Sequence, residues 1–244
     1  MMPYRYSLEA WDCFIRSFQT WRATSWQVDG HTHTKWTDGA DSVEEMWKSA
    51  NSSGLDVMLF SEHSSLGSGE WFGNFCGEVR SLPNSATRAF VGTECRISST
   101  DGKIDLDPLV AKECDLVIAS VHRFATSAGK KLAFEDACKE TAIEIELSMM
   151  IAALEREEAD VIGHLFGMSI VRFGLEPRPE HWSALVHAVA NSGTALEVNS
   201  KYHSRIFDIL DHYRQEDCRV SLGSDAHAAN RVGHASNLLM SGSA

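Results

Sequence analysis

Short apolar runs alternate with longer amphipathic stretches along most of this chain of 244 residues. The apolar runs are nearly continuous and rich in Val, Ile, Leu and Phe, as in strands that are buried on both faces of a parallel sheet. Seven strands are predicted in this way: Trp26–Asp29, Val57–Ser61, Ala89–Glu94, Leu116–Ser120, Asp160–His164, Thr194–Asn199 and Val220–Asp225. Their alternation with helical stretches predicts an α/β fold, either a parallel αβ barrel or a doubly wound sheet.

The amphipathic stretches between these strands predict helices. A helix over Asp41–Ser53 opens on Asp-Ser-Val-Glu-Glu, which supplies an N-cap and an acidic first turn, and Gly54 ends it. Three further helices are predicted over Phe134–Glu158, Arg178–Asn191 and His203–Gln215.

Aromatic residues recur at near-helical spacing before the first strand. They predict one amphipathic helix and are Trp11, Phe14, Phe18 and Trp21, with Ile15 beside them. We expect an N-terminal helical extension over residues 1–25 and a barrel domain over residues 26–244. The extension is expected to plug the bottom of the barrel or cover its side; a dimer face or a substrate lid is the alternative.

Every predicted strand ends in a polar residue. In chain order these residues are His31 with His33, His63, Glu94, His122, His164, Glu197 with Asn199, and Asp225 with His227. In a parallel αβ barrel the carboxyl ends of the strands meet at one face, where active sites are built. Because so many titratable groups cannot stay buried and unpaired in one place, we infer that they bind metal ions.

The spacing of these residues supports metal binding. Period-two alternation puts His31 and His33 on the same face of their strand, and Asp225 and His227 repeat this geometry. Imidazole and carboxylate ligands without thiolate suit divalent Zn, Mn or Fe. There are too many ligands for one tetrahedral ion, so two to three divalent metal ions are expected.

The composition narrows the classes of partner that this protein is expected to bind. The 22 Lys and Arg against 34 Asp and Glu give a net charge of −12, which argues against long nucleic acid or an anionic membrane as a partner. We find no apolar run of transmembrane or signal-peptide length. The six cysteines form no C-x-x-C pair, so we expect reduced thiols and a cytoplasmic protein. The sequence does not indicate an oligomeric state.

As an ordered set, these motifs resemble the PHP family, the polymerase and histidinol phosphatase domain of metal-dependent phosphoesterases. The matching segments span about residues 26–233 and are Asp-Gly-His31-Thr-His33, Thr37-Asp38-Gly39, Ser-Glu-His63, Gly-Thr-Glu94, Ser-Val-His122, Ile-Gly-His164, Leu-Glu-Val-Asn199 and Gly-Ser-Asp225-Ala-His227. The resemblance implies a distorted (β/α)7 TIM-like barrel with a trinuclear metal centre.

Carried over by position, the resemblance implies three metal sites. The first would use His31, His33, Glu94 and Asp225, the second Glu94, His122 and His164, and the third Asp38, His63 and His227. Glu94 would bridge the first two sites.

The implied activity is hydrolysis of a small phosphate ester by a hydroxide formed from water between metal ions. The expected catalytic residues are Glu94, Asp225 and His227, of which His227 or a metal-bound water would protonate the leaving alkoxide. Basic residues expected to hold the substrate phosphate are Arg123, then Arg96, Lys201 and Arg231. His203 and His234 lie near the same loops, whereas His181, His187 and His212 are expected to be structural.

Three alternatives stay open. The enzyme could be a histidinol phosphatase specifically, or an amidohydrolase-like metal-dependent hydrolase of a non-phosphate substrate. Amidohydrolase barrels usually hold one or two metals and often a carboxylated Lys; here no Lys ends a middle strand, and Glu94 can bridge. The third alternative is a non-catalytic PHP-like regulatory module.

Overall fold

The computed structural model describes residues 7–21, 26–125, 141–203, 213, 216 and 218–241. Within these residues one curled sheet has eight strands: β1 (Arg16–Ser17), β2 (Val28–Thr32), β3 (Val57–Ser64), β4 (Arg88–Arg96), β5 (Leu116–Ser120), β6 (Val161–Ile162), β7 (Ala195–Asn199) and β8 (Arg219–Gly223). Strands β2 to β8 pair in parallel in the order of the chain, and β1 pairs antiparallel with β8.

The sheet curls until the carboxyl end of β2 meets the residues that follow β8. Thr32 and Ala226 form an isolated parallel bridge. The His33 N–H donates to the Ala226 carbonyl oxygen at 2.8 Å, and the Ala226 N–H donates to the His31 carbonyl oxygen at 3.3 Å. The predicted barrel-like α/β fold with seven parallel strands is therefore confirmed, and the doubly wound alternative is not.

Helices and one 3-10 turn connect the strands. Among the described residues they are α1 (Leu8–Phe14), α2 (Phe18–Trp21), α3 (Val43–Ser52), α4 (Gly69–Arg80), α5 (Pro108–Glu113), α6 (Ala142–Arg156), α7 (Gly167–Phe173), α8 (Pro179–Ala190), the turn Ala229–Arg231 and α9 (His234–Ser241). None of these helices has the length and apolar character needed to span a membrane.

The predicted helices agree with these bounds where the structure describes them. Helix α3 begins as predicted because Ser42 caps it: the Ser42 hydroxyl accepts from the Glu45 N–H, and the Glu45 carboxylate accepts from the Ser42 N–H at 2.8 Å. The helix predicted over Phe134–Glu158 is confirmed over α6, and the one predicted over Arg178–Asn191 is α8. The helix predicted over His203–Gln215 falls largely outside the described residues.

The N-terminal segment is not the single helix that its aromatic spacing predicts. Helix α1 ends at Phe14, Ile15 is extended, and β1 then pairs with β8. The Phe18 N–H donates to the Cys218 carbonyl oxygen at 2.9 Å, so backbone pairing with the sheet breaks the helix. Phe14 still packs edge-on against Phe90 near the start of β4, with ring centroids 5.4 Å apart. The segment therefore packs at the amino ends of the barrel strands.

Candidate metal centre

The carboxyl ends of the parallel strands bring nine polar side chains into one region. Alternation along β4 turns Glu94 toward the barrel interior and Cys95 away from it. The buried Cys95 thiol lies 3.4 Å from the Ile118 carbonyl oxygen, as expected of a packed residue. The nine side chains that meet are His31, His33, Asp38, His63, Glu94, His122, His164, Asp225 and His227.

One cluster of donor atoms surrounds His31 and His33, which are both fully buried. Their Nε2 atoms lie 3.1 Å apart. Glu94 Oε2 lies 3.4 Å from His31 Nε2 and 3.5 Å from His33 Nε2. Asp225 Oδ1 completes the cluster at 3.2 Å from His33 Nε2.

The other oxygen of Glu94 faces a second cluster. Glu94 Oε1 lies 2.9 Å from His164 Nε2 and 3.1 Å from His122 Nε2, and the two nitrogens are 3.1 Å apart. The Glu94 carboxylate thus joins two groups of imidazoles, one at each oxygen.

A third cluster lies at the more exposed mouth of the barrel. Asp38 Oδ2 lies 3.3 Å from His227 Nε2 and 3.5 Å from His63 Nε2. The Nδ1 atom of His63 also lies 3.0 Å from Glu94 Oε2, which connects this cluster to the other two. Because the Asp38 side chain is 54% exposed, this side of the centre is open to a substrate.

The donor atoms fit small divalent cations. Glu94 Oε1 is buried between two imidazole nitrogens, yet it has no hydrogen-bond partner among the described residues. Ligand atoms of a tetrahedral zinc ion, at metal–ligand distances of about 2.0–2.1 Å, lie about 3.3 Å from one another. Spacings of 2.9–3.1 Å around Glu94 Oε1 are close to that value. A cation would also offset the cost of burying this carboxylate.

Electrostatics keep the carboxylates ionised and one imidazole neutral. Burial raises the pKa of Glu94, but the charges of His122 and His31 outweigh it and hold that pKa well below its usual range. Burial and the nearby charges of His31 and His63 lower the pKa of His33 to about 4. The hydrogen bond to Asp225 raises this pKa but does not offset them. Ionised carboxylates and neutral imidazoles are the forms that bind metal ions.

Glu197, one of the polar residues at the predicted strand ends, orients two of these histidines, although the resemblance implied no metal site for it. Its Oε1 accepts from His31 Nδ1 at 2.7 Å, and its Oε2 accepts from the His164 backbone N–H at 2.5 Å. The first contact fixes the orientation of the His31 ring and places its Nε2 on the side of Glu94. Gly223 makes room for it, because a Cβ there would overlap Glu197 Oε1.

Asp29 ties β2 to the segment that follows β8. Its carboxylate accepts from the Ser224 N–H at 3.0 Å, from the Ser224 hydroxyl at 2.5 Å and from the Gly233 N–H at 2.7 Å. His31 lies on β2 and Asp225 lies on the segment that follows β8. The contacts of Asp29 therefore keep these two site residues at a fixed separation.

Glu62 holds the loop that carries Asp38. Its carboxylate accepts from the Thr34 N–H at 2.8 Å and from the Thr37 hydroxyl at 2.5 Å. The loop is tight: a Cβ on Gly39 would lie 2.5 Å from the His33 carbonyl oxygen. Asp38 is thereby presented at the mouth of the barrel by a constrained turn.

The strand ends at two site residues leave ordinary backbone geometry. His164 has φ of 25° and Asp225 has φ of 49°, values that non-glycine residues rarely adopt. Each residue lies two positions beyond the end of its strand, His164 after β6 and Asp225 after β8, so the chain turns sharply there. Strained backbone of this kind occurs at functional sites when the surroundings hold it in place.

The four basic residues expected to bind substrate are not all at the centre. Lys201 Nζ lies 2.7 Å from Asp225 Oδ2 and 3.4 Å from His227 Nδ1. Arg96 and Arg123 line a pocket beside the centre. Arg231 is exposed in the 3-10 turn, and no contact with the centre is found for it within the described part of the chain.

The remaining histidines lie around the site. His203 is buried and its Nε2 donates to the Leu165 carbonyl oxygen at 2.9 Å, and His234 begins α9. Away from the centre, His181 pairs with Glu144 and His187 with Glu216, as expected of structural or surface residues. His212 lies outside the described residues.

This chain is similar to a known protein family and to named relatives. The family model described as "PHP domain" matches residues 29–201. A protein of Vibrio atlanticus named "Probable phosphatase" is 27% identical over 219 residues, which cover 85% of this chain and 80% of the relative. A Thermoanaerobacter protein of the same name is 26% identical over 219 residues, covering 84% and 81%.

A solved structure shares the fold. The crystal structure of histidinol phosphate phosphatase from Lactococcus lactis, complexed with zinc, L-histidinol and phosphate, superposes with a TM-score of 0.63 at 20% identity. The match covers 88% of this chain and 91% of that one.

Proposed function

This chain belongs to the PHP domain family and is a metal-dependent phosphoesterase, and we propose that it releases phosphate from a monoester of a small molecule. The observation that carries the proposal is the convergence of nine imidazole and carboxylate groups at an open barrel mouth. The phosphatase relatives support a monoester.

We assign the ligands of two to three divalent cations, Zn, Mn or Fe, to three sites. They are His31, His33, Glu94 and Asp225; Glu94, His122 and His164; and Asp38, His63 and His227. The nitrogen and oxygen donors without thiolate support this choice of metals. Bound cations would polarise the phosphoryl oxygens and lower the pKa of a coordinated water.

The protein's own groups would fix the geometry of the reaction. Glu94 would hold two cations at a set separation, since each of its oxygens faces a different group of imidazoles. Asp225 would hold its cation from the opposite strand, and Lys201 Nζ, 2.7 Å from Asp225 Oδ2, would stabilise the negative charge of a phosphoryl group.

We assign His227 to the third metal site rather than to proton donation. Its Nδ1 donates to the Asp225 backbone oxygen at 2.9 Å, which leaves the Nε2 lone pair facing the Asp38 side of the mouth. This assignment favours water at the open mouth as the proton source for the leaving oxygen.

The test is phosphate release from a panel of phosphomonoesters and phosphodiesters, with histidinol phosphate included. The panel is run with added Mn²⁺ or Zn²⁺ and again after chelation, beside carboxylate esters and amides. We expect metal-dependent phosphate release, with monoesters preferred. Hydrolysis only of the carboxylate esters or amides, or no turnover by protein shown to contain metal, would overturn the proposal.

A further inference from the structure

Tyr202 lies at the metal centre although none of the assigned metal sites uses it. Its ring packs against the His164 ring, with centroids 4.8 Å apart. Its hydroxyl interacts with the Asp225 carboxylate as a hydrogen-bond donor. Because His164 is assigned to the second metal site and Asp225 to the first, Tyr202 contacts a ligand of each.

The turn that follows β7 holds Tyr202 in place. The Lys201 N–H donates to Asn199 Oδ1 at 2.9 Å, and the His203 N–H donates to the Asn199 carbonyl oxygen at 3.2 Å. On the other side the ring packs against the start of α7, where a Cβ on Gly167 would lie 3.2 Å from Tyr202 Cδ1. Tyr202 is therefore half-buried, and the residues on either side of it are fixed.

Lys201 lies beside Tyr202 on the same side of the barrel mouth. Its Nζ is 5.4 Å from the centroid of the Tyr202 ring and 2.7 Å from Asp225 Oδ2. Asp38 lies at the other edge of the His227 ring, with its Oδ2 3.3 Å from Nε2, whereas Lys201 Nζ is 3.4 Å from Nδ1. A substrate that enters at the exposed Asp38 side therefore meets the ammonium and the phenol hydroxyl across the centre.

We propose that the Tyr202 hydroxyl donates a hydrogen bond to a non-bridging oxygen of the substrate phosphate and thereby selects monoesters over diesters. The inference rests on the proposed phosphatase function and deepens it, because it names a residue that sets the substrate class. The phenolic proton can turn from Asp225 to the phosphate, since the Lys201 ammonium still pairs with that carboxylate. A hydrogen bond to a charged phosphate oxygen is stronger than one between neutral groups.

The number of acceptor oxygens in the two ester classes explains the selection. A monoester has three non-bridging oxygens that can accept a hydrogen bond, whereas a diester has two, because the third oxygen carries a second organic group. A diester bound at the centre therefore either leaves the Tyr202 hydroxyl without an acceptor or loses a contact elsewhere.

The experiment compares 4-nitrophenyl phosphate with methyl 4-nitrophenyl phosphate, a monoester and a diester with the same leaving group. Tyr202→Phe removes the hydroxyl and keeps the ring that packs on His164. We expect this variant to lower kcat/KM for the monoester about tenfold more than for the diester. A disturbed metal centre would lower both values alike, so an equal fall, or no fall, would overturn the proposal.

Tyr213→Phe is the matched control. The Tyr213 ring is buried and packs on Phe18, with centroids 5.9 Å apart, and its hydroxyl has no hydrogen-bond partner among the described residues. Tyr213→Phe should keep the wild-type ratio of monoester to diester. An equal change of the ratio in Tyr213→Phe and Tyr202→Phe would contradict the assignment to Tyr202.

A binding measurement separates this inference from the proposed function. Inorganic phosphate and dimethyl phosphate are titrated calorimetrically into zinc-loaded wild type and Tyr202→Phe. If no ester is hydrolysed but Tyr202→Phe weakens phosphate about tenfold more than dimethyl phosphate, the role of Tyr202 stands and the phosphatase function fails. If esters are hydrolysed and both proteins bind phosphate alike, the Tyr202 proposal fails alone.

Discussion

Glu94 is the residue on which the proposed metal centre depends most. Its two oxygens face different imidazole groups, and one of them has no hydrogen-bond partner among the residues described. We expect Glu94→Ala to lower kcat for phosphate release by about three orders of magnitude or more, because two cations lose a shared ligand. Metal analysis of the purified variant should show at least one equivalent lost.

The fold should survive the Glu94 change, since the variant removes a buried charge rather than an apolar contact. Glu158→Ala is the matched control, because Glu158 is a surface carboxylate that pairs with Arg156. Wild-type turnover by a folded Glu94→Ala protein would contradict the ligand assignment.

Glu197 gives a second prediction at the residue scale. In Glu197→Gln an amide NH₂ must face either His31 Nδ1 or the His164 N–H, both of which are donors. Misorientation of these imidazoles should weaken metal binding by about 10–100-fold. Competition with a chromophoric chelator measures this affinity.

A surface Glu–His pair provides the control for Glu197. Glu216 Oε1 lies 3.0 Å from Nδ1 of His187, which is 73% exposed. Glu216→Gln should leave metal affinity unchanged. If Glu197→Gln bound metal as wild type does, its contact with His31 would not position the ligand.

Sequence reasoning located the chemistry of the site but not its supports. His31 and Asp225 could be singled out because each lies in a short motif at a strand end. Glu197 also ends a strand, but its role depends on His31 and His164, which are 166 and 33 residues away along the chain. Contacts across a barrel of this kind leave no local pattern in the sequence.

At the element scale, burial decided what could be predicted. The parallel strands have apolar side chains on both faces, so they were found within a few residues, except that β6 has only two residues. The aromatic spacing predicts one helix across α1, β1 and α2 because Phe14 of α1 and Phe18 of α2 are both buried in the same core. Hydrophobic spacing alone cannot detect the backbone pairing that separates them.

The packing of α1 predicts that it is needed for stability. Phe14 is fully buried against Phe90, so Phe14→Ala should lower the free energy of unfolding by about 3–4 kcal/mol. Leu8 lies on the same helix and is 67% exposed. Leu8→Ala should therefore change the free energy of unfolding by about 0.5 kcal/mol or less. Urea unfolding of both variants checks this, and equal effects would mean that α1 adds nothing to the barrel core.

For the whole molecule, the position of Glu146 couples stability to pH. This carboxylate lies buried on α6 and accepts from the Met168 N–H at 3.1 Å, from the Ser169 N–H at 2.8 Å and from the Ser169 hydroxyl at 2.6 Å. It thereby caps α7, the helix that follows the loop bearing His164. Burial outweighs these donors and raises the pKa of Glu146 from 4.5 to about 7.

A raised carboxyl pKa means that the folded protein holds this proton more tightly than the unfolded chain does. The stability it contributes is complete below about pH 4.5 and is lost as pH rises through about 7. From pH 5 to pH 8, wild type should lose this stability and Glu146→Gln should not. The free energy of unfolding of Glu146→Gln should therefore rise by about 2–3 kcal/mol relative to that of wild type. Urea unfolding of both proteins at pH 5 and pH 8 measures the change. Groups that titrate in the same way in wild type and variant cancel in the comparison of the two. Glu155→Gln, exposed on the same helix, should show no such gain; parallel profiles for wild type and Glu146→Gln would refute the coupling.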